Sequence, residues 1–286
     1  MIQLIECPRD AMQGLETFVP TAVKTAYLQQ LLAVGFDTLD FGSFVSPRAI
    51  PQMQDTAAVL AGLDLEASHT RLLAIVANRR GAQSAAAYAA ITYLGFPLSL
   101  SETFQQRNTR QSIPAAWEEV ARIQDLCVQN GKKLVVYLSM GFGNPYGDPW
   151  DTGLVLSFAE RMSRLQVPVI SLADTTGLAR PGDIAYLFGE LVPAFPAIRF
   201  GAHFHSRPQD WQPKVTAAYQ AGCRRFDGAL LGFGGCPMAE DVLVGNLATE
   251  NLIAYFENIN LPLNLNHAAL GEALKQARAI FLPEKK

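Results

Sequence analysis

The stretch "IRFGAHFH", residues 198–205, is a short apolar run that ends in two of the four histidines of the chain. A run of this kind predicts a β-strand. The segments on either side, "PGDIAYLFGELV" (181–192) and "PKVTAAYQAG" (213–222), have helical period and open with Pro, as helix starts favour. The order helix, strand, helix around this stretch therefore indicates an α/β fold.

The same order repeats along the whole chain of 286 residues. The seven further predicted strands are "IQLIE" (2–6), "DTLDFG" (37–42), "RLLAIVA" (71–77), "AITYLGFPLS" (90–99), "KLVVYLS" (133–139), "VPVISLA" (167–173) and "RRFDGAL" (224–230). Strand followed by helix, eight times over, predicts a (βα)8 TIM barrel of the α/β class. The tail 266–286 predicts one extra C-terminal helix on the outside. Because no low-complexity linker divides the chain, we expect residues 1–286 to form a single domain.

An open doubly wound sheet is the alternative architecture. If such a sheet bound a dinucleotide, a GxGxxG turn would be expected after its first strand. The corresponding segment, "IECPRDAMQG" (5–14), does not have that pattern. The barrel is therefore the favoured interpretation.

Composition narrows the range of partners. The net charge is −3 and no run is rich in Lys and Arg, so we expect no nucleic-acid partner. No segment approaches 18 consecutive apolar residues, and the start "MIQLIECPRD" lacks the pattern of a signal peptide, so we expect a cytoplasmic protein without membrane contact. The four cysteines show no CxxC spacing, which favours reduced thiols over a disulfide framework.

Polar residues stand at the carboxyl ends of several predicted strands, where barrels of this architecture carry their active sites. They are Arg9 and Asp10 after the first strand, Asp40 and Ser43 at the end of the second, Ser139 after the fifth, Asp174 and Thr175 after the sixth, and His203 and His205 on the seventh. A glycine-rich loop, "GFGGCPMAEDVLVGN" (232–246), follows the eighth. The sequence therefore predicts a functional site at this rim.

The His-x-His pair indicates metal binding. Residues i and i+2 of a strand point to the same face, roughly 6.5–7 Å apart, so His203 and His205 face the barrel mouth while Phe204 faces the helix layer. Asp10 would add a hard anionic ligand at the same rim. A set of nitrogen and oxygen ligands without thiolate favours Mg²⁺ or Mn²⁺, although Zn²⁺, Co²⁺ or Fe²⁺ could also occupy it. The alternative is that both histidines are simply hydrogen-bonded polar residues.

Other candidates also have purely structural alternatives. Arg9 and Asp10 could form a surface ion pair, Asp174 could cap the turn "ADTTG", and Asn246 could be a helix N-cap. Cys236 could be a small buried residue. Their shared position at strand ends on one rim favours the functional interpretation.

Five pieces of the chain carry a family resemblance. They are "IECPRDAMQ" (5–13), "GSFVSPRAIPQM" (42–53), "SLADTTG" (171–177), "AHFH" (202–205) and "GFGGCPMAEDVLVGNLATEN" (232–251). Together they resemble the 3-hydroxy-3-methylglutaryl-CoA lyases, within the wider group of metal-dependent Claisen-type barrel enzymes. The Arg-Asp pair and His-x-His mark the wider group, whereas "SFVSP", "GGCP" and "GNLATE" point to the lyase branch.

The resemblance implies a retro-Claisen cleavage of 3-hydroxy-3-methylglutaryl-CoA to acetoacetate and acetyl-CoA, as in leucine degradation. It implies that Asp10, His203, His205 and Asn246 hold the divalent cation. It also implies that Arg9 stabilises the enolate, that Asp174 transfers a proton at the substrate hydroxyl, and that Cys236 lies on a mobile loop over the site. We further expect Asp40 to take part in catalysis and Gln13, Ser43, Ser139 and Thr175 to bind the acyl-CoA substrate. The oligomeric state is left open, with a homodimer as one option.

The sequence departs from the lyase pattern in several places. Asp40 stands where Glu is expected, Ala11 replaces a Gly, and the segment from Cys236 to Asn246 is one residue longer. The loop after the fifth strand, "MGFGNPYG" (140–147), lacks the cysteine often found there. The exact acyl chain is therefore open. Alternatives are an aldolase acting on 4-hydroxy-2-oxo acids, a synthase that condenses acetyl-CoA with a 2-oxo acid, and a non-catalytic acyl-CoA-binding barrel.

Overall fold

The structure, a computed structural model, describes residues 1–235 and 244–283. Eight parallel strands form a closed barrel in chain order, and the last strand pairs with the first. The strands are β1 (Gln3–Glu6), β2 (Thr38–Ser43), β3 (Arg71–Ile75), β4 (Ile91–Ser99), β5 (Lys133–Ser139), β6 (Val169–Asp174), β7 (Arg199–Phe204) and β8 (Arg225–Gly228). Each overlaps a predicted strand, so the TIM-barrel prediction is confirmed.

The described helices surround the barrel. They are α1 (Pro8–Gln13), α2 (Thr21–Val34), α3 (Thr56–Ala61), α4 (Arg79–Ala86), α5 (Glu102–Thr109), α6 (Ile113–Gln129), α7 (Thr152–Arg164), α8 (Pro181–Ala194), α9 (Trp211–Gln220), α10 (Thr249–Asn258) and α11 (His267–Phe281). The extra C-terminal helix is α11, as predicted. Its Phe281 meets the edge of Tyr27 on α2, and it stacks on Phe233 with ring centroids 5.0 Å apart.

Local sequence explains where many of these helices begin. Ser101, Ser112, Asp151 and Asn266 each accept a hydrogen bond from a backbone N–H of the first turn that they precede. Such caps satisfy donors that have no partner inside the helix. These capping side chains therefore help to fix where the four helices begin, and the apolar strands between helices form the barrel.

The apolar side chains form two cores. The larger lies between the barrel and the surrounding helices, and Phe204 belongs to it through ring contacts with Phe142 and Phe188. The smaller lies inside the barrel, where Leu73, Ile75, Val135, Tyr137 and Val169 pack together. The barrel interior is thus apolar on the side of β3 to β6. On the side of β7 and β8 it carries charged residues, which are described below.

None of the helices in the described part of the chain combines the length and the apolar character that crossing a bilayer requires.

A buried carboxylate at the end of β1 forms hydrogen bonds with the segment that follows β8. Glu6, at the end of β1, accepts a hydrogen bond from Leu230 N and another from the Thr249 hydroxyl, which follow β8. Burial raises the pKa of Glu6 from 4.5 to about 8, although both hydrogen bonds oppose this change. Glu6 therefore holds the segment that carries Asn246, at an electrostatic cost that depends on pH.

Glu6→Gln should remove part of the pH dependence of stability. Because the folded-state pKa is raised, the folded protein binds the proton more tightly than the unfolded chain, and stability falls as pH rises from 4.5 towards 8. We expect urea unfolding to show this loss of stability in the wild type, on the order of 5 kcal/mol, and a smaller loss in Glu6→Gln. If the free energy of unfolding changed with pH in the same way in both proteins, Glu6 would not be the source of this pH dependence.

Candidate active site

A cavity of about 190 Å³ opens at the carboxyl ends of the strands. Its polar side is lined by Arg9, Asp10, Gln13, Ser139, Thr175, His203 and His205. Its apolar side is lined chiefly by Val45, Ile50, Ile75, Pro97, Phe104 and Tyr137. The cavity therefore brings seven of the predicted site residues together at one rim, beside an apolar wall.

The short helix α1 carries three of these residues. Pro8 begins it directly after β1, with its fixed φ and missing N–H suited to the first helical position. Arg9 Nη1 donates to Asp10 Oδ1 at 3.0 Å and to Gln13 Oε1 at 2.9 Å, and Gln13 Nε2 donates to Asp10 Oδ1 at 2.7 Å. Arg9 is 7% exposed and Asp10 is 6% exposed. They form a buried cluster rather than a surface ion pair.

Asp40 holds the guanidinium from the neighbouring strand. Arg9 Nε and Nη2 donate to its carboxylate at 3.0 and 2.6 Å, so the shorter stem of Asp, compared with Glu, reaches Arg9. Burial raises the pKa of Asp40 to about 6, against the opposing charge of Arg9. Burial also opposes ionisation of Asp10, but Arg9 and the two histidines lower its pKa to about 2. Both carboxylates are therefore mostly ionised at neutral pH, and Asp10 stays ionised to lower pH than Asp40 does.

The two histidines are held by their Nδ1 atoms. His203 Nδ1 lies 3.1 Å from Asp227 Oδ2, and His205 Nδ1 donates to Thr175 O at 2.9 Å, since a carbonyl can only accept. His205 Nε2 is buried and has no hydrogen-bond partner among the described residues. One oxygen of Asp10 and one ring nitrogen of each histidine lie within 4.8 Å of one another. This geometry fits a metal ion, because a buried, unpartnered nitrogen lone pair faces a charged carboxylate.

Asn246 reaches the same cluster from the segment after β8. Its Nδ2 donates to Asp10 Oδ2 at 2.6 Å and to Phe233 O at 3.0 Å. Since α10 begins only at Thr249, Asn246 is not its N-cap. Gly234, at φ +104°, permits this approach, because a side chain there would meet Asn246 Nδ2 at 2.5 Å. The fold thus brings the fourth predicted ligand into contact with Asp10.

Asp174 lies at the end of β6 but is engaged elsewhere. Its Oδ2 accepts from Lys214 Nζ at 2.6 Å, and its Oδ1 accepts from Ala179 N at 3.0 Å. Lys214 also donates to the backbone carbonyls of Gly177 and His205. Burial raises the pKa of Asp174, and the charge of Lys214 opposes this. Among the predicted site residues, Asp174 is therefore held by a buried ion pair and does not line the cavity.

The remaining predicted residues differ in their placement. Ser139 and Thr175 line the cavity, and the Thr175 hydroxyl accepts from Met140 N. The Ser43 hydroxyl instead accepts from Val45 N and donates to Ile75 O, so it shapes the turn after β2. Cys236 lies outside the described residues.

Sequence reasoning missed three residues of this region. Asp227 contacts His203, Lys214 contacts Asp174, and the ring of Tyr137 meets that of His203 edge-on at 5.4 Å. The alternation argument that placed the histidines could have found Asp227, because "RFD" in β8 points Arg225 and Asp227 to one face. Nothing in the local sequence around Lys214 marks it, since it is one polar residue on a helix.

Comparison with known proteins agrees with this geometry. The sequence profile of the HMGL-like family matches residues 2–276. (R)-Citramalyl-CoA lyase of Chloroflexus aurantiacus is 30% identical over 273 residues, which cover 92% of this chain and 85% of that protein. Hydroxymethylglutaryl-CoA lyase of Bacillus subtilis is 30% identical over 268 residues, covering 94% and 89%.

Comparison with solved structures also finds similarity to an acyl-CoA lyase. A structure of an HMG-CoA lyase from Acinetobacter baumannii, in complex with coenzyme A and 3-methylmalate, superposes with a TM-score of 0.91. It is 31% identical and covers 98% of this chain and 91% of that one. The resemblance found in the sequence is thereby confirmed: the chain belongs to the HMGL-like family and is a carbon–carbon lyase.

Proposed function

We propose that the protein is a divalent-metal-dependent lyase that cleaves 3-hydroxy-3-methylglutaryl-CoA to acetoacetate and acetyl-CoA by a retro-Claisen reaction. The observation that carries the proposal is the orientation of the two histidines. Acceptors hold both Nδ1 atoms, and the free Nε2 of His205 is buried beside the ionised Asp10. Asp10, His203, His205 and the amide oxygen of Asn246 would hold the cation, with Mg²⁺ or Mn²⁺ favoured and Zn²⁺ or Co²⁺ as alternatives.

The cation would act as a Lewis acid that acidifies the substrate hydroxyl and orients the substrate. The charges around the site suit a cation, because the carboxylates of Asp10 and Asp40 face the single guanidinium of Arg9. Two buried ion pairs near this cluster, Lys214–Asp174 and Arg225–Asp227, are each balanced in charge. The cluster around Asp10 therefore carries the excess negative charge.

Arg9 is assigned to the thioester enolate that forms when the C2–C3 bond breaks. A guanidinium is permanently charged and offers several donors, which suits an oxygen that gains negative charge. Asp40, Asp10 and Gln13 hold Arg9 in one orientation before substrate arrives. The second N–H of Nη2 is thereby held in a fixed direction, so it would need little rearrangement to donate to the enolate oxygen.

Proton transfer is divided between two residues in this proposal. Cys236 donates the proton that converts the enolate to acetyl-CoA. Asp174 acts at the substrate hydroxyl, and burial raises its pKa as an acid–base group requires. To reach the hydroxyl, its carboxylate would have to leave the contacts with Lys214 and Ala179.

The acyl chain needs a direct test, because the two lyases similar to this chain are named for different substrates. Citramalyl-CoA is shorter than 3-hydroxy-3-methylglutaryl-CoA by one methylene between the carbinol carbon and the free carboxylate. A hydrophobic pocket discriminates one methylene by about 1–3 kcal/mol, so the preferred substrate should stand out clearly in kcat/KM.

The experiment incubates purified protein with each acyl-CoA, with and without Mg²⁺ or Mn²⁺, and detects products by mass spectrometry. We expect acetoacetate and acetyl-CoA from 3-hydroxy-3-methylglutaryl-CoA, and no turnover after treatment with EDTA. Pyruvate from citramalyl-CoA at a higher kcat/KM would replace the proposed substrate. Activity that survives complete metal removal would contradict the metal-dependent mechanism.

Cys236→Ser should lower kcat by about 100-fold while leaving metal affinity unchanged, since loss of an acid–base group typically costs this much or more. Cys127→Ala is the control, because Cys127 is buried on α6. Thiol alkylation should inactivate the wild type, and bound substrate should protect it. A Cys236→Ser enzyme as fast as the wild type would remove Cys236 from the mechanism.

A further inference from the structure

A charged network lies inside the barrel behind His203. Asp227 on β8 contacts His203 Nδ1 through Oδ2, at 3.1 Å. Its other oxygen, Oδ1, accepts from Arg225 Nη1 at 2.7 Å. The Ser171 hydroxyl accepts from Arg225 Nη1 at 3.2 Å and lies 3.4 Å from Asp227 Oδ2. Asp227 is 2% exposed and Arg225 is 5% exposed, and neither lines the cavity.

We propose that Asp227 is a positioning residue that selects the tautomer of His203 with the proton on Nδ1, leaving Nε2 free to bind the metal. This role rests on the metal site proposed above. A carboxylate has only acceptor atoms, so the neutral imidazole beside it must turn an N–H towards it. The remaining nitrogen then carries the lone pair, and this is the arrangement that metal-binding histidines require.

Arg225 fixes the orientation of the carboxylate. Because Oδ1 is held by Arg225, Asp227 presents Oδ2 to His203 in a defined direction. Gly201, two residues before His203, makes space for this guanidinium, since a Cβ there would lie 2.8 Å from Arg225 Nη1. Gly201 therefore leaves space for Arg225, Arg225 orients Asp227, and Asp227 contacts His203 Nδ1.

The two histidines differ in how their tautomers are set. His205 donates to the backbone carbonyl of Thr175, which a side-chain substitution does not remove. His203 depends on a side chain, so a substitution at position 227 should change one histidine and leave the other as an internal reference. This asymmetry allows a test that separates tautomer selection from general damage to the fold.

Asp227→Asn is the informative variant. Arg225 can only donate, so the amide oxygen of Asn should face Arg225 and the amide NH2 should face His203. An NH2 group opposite Nδ1 requires a lone pair there, which moves the imidazole proton to Nε2. The variant keeps the size and shape of the side chain but should reverse the tautomer.

The experiment records long-range ¹H–¹⁵N spectra of metal-free protein with labelled histidine, with the His203 signals assigned from a His203→Gln variant. Burial lowers the pKa of His203, and the contact with Asp227 raises it by more, so spectra are recorded at increasing pH and the tautomer is assigned where the ¹⁵N shifts show a neutral ring. Wild type should show His203 protonated on Nδ1, and Asp227→Asn should show it protonated on Nε2. His205 should keep its Nδ1 proton in both.

Isothermal titration with MnCl2 supplies the second readout. Asp227→Asn should weaken Mn²⁺ binding by about 10–100-fold, the range typical of residues that orient a metal ligand. High Mn²⁺ concentrations should restore part of kcat. Ser171→Ala is the matched control, because it leaves the contacts of Asp227 with both Arg225 and His203 in place. It should keep the wild-type tautomer and Mn²⁺ affinity.

A wild-type His203 protonated on Nε2 would overturn the proposal, and that measurement needs no variant to fold. Asp227→Asn with unchanged tautomer and unchanged Mn²⁺ affinity would overturn the positioning role alone. Wild-type protein that binds no Mn²⁺ would overturn the metal site, and this role with it.

Discussion

His205→Ala should abolish metal binding at micromolar concentrations and reduce activity to background. Thr175 O holds the Nδ1 of this histidine, and its buried Nε2 has no partner among the described residues, so the side chain is already oriented for a ligand. Changes that only reorient a ligand cost about 10–100-fold in affinity, and losing the ligand itself should cost more than that. Titration with Mn²⁺ and an assay of acetyl-CoA release measure the two losses in parallel.

Phe204→Leu is the control for this variant, because Phe204 lies between the two histidines but packs on the helix side against Phe142 and Phe188. It should lose some thermal stability and keep its metal affinity. A His205→Ala protein with wild-type affinity and turnover would show that the pair Asp10–His205 is not the metal site.

Arg9→Lys should fold, bind metal close to normally and lose about 100- to 1,000-fold in kcat, the range seen when one oxyanion donor is removed. Lys keeps the charge, but it cannot reproduce the planar fork that contacts Asp40 through Nε and Nη2 and Gln13 through Nη1. The ammonium would be free to move relative to the enolate oxygen. Steady-state kinetics with saturating Mn²⁺ measure the effect, and KM should change less than kcat.

Arg71→Lys provides a matched control at the opposite end of the barrel. Arg71 begins β3 and forms a partly exposed ion pair with Asp37, so its replacement should leave kcat unchanged. If Arg9→Lys were as active as Arg71→Lys, the guanidinium of Arg9 would serve only to neutralise Asp10 and Asp40.

Periodicity and position predicted much of the site. The strand ends marked Arg9, Asp10, His203 and His205, and the structure places all four around one cavity. This worked because side-chain direction alternates along a strand and because a barrel collects all its carboxyl ends at one rim. The resemblance added Asn246, which contacts Asp10 although 236 positions separate them in the chain.

By itself, the sequence determined the order of elements and the face on which each strand residue lies, because both depend on neighbours a few positions away. Only the tertiary structure determined which charged side chains contact each other. Lys214 contacts Asp174, Asp40 contacts Arg9, and Asp227 contacts His203. Such contacts join residues on different strands and helices, and their distances depend on register, helix packing and the space left by residues such as Gly201. Because burial makes an unpaired charge costly, these partners were required, but no local pattern says which residues supply them.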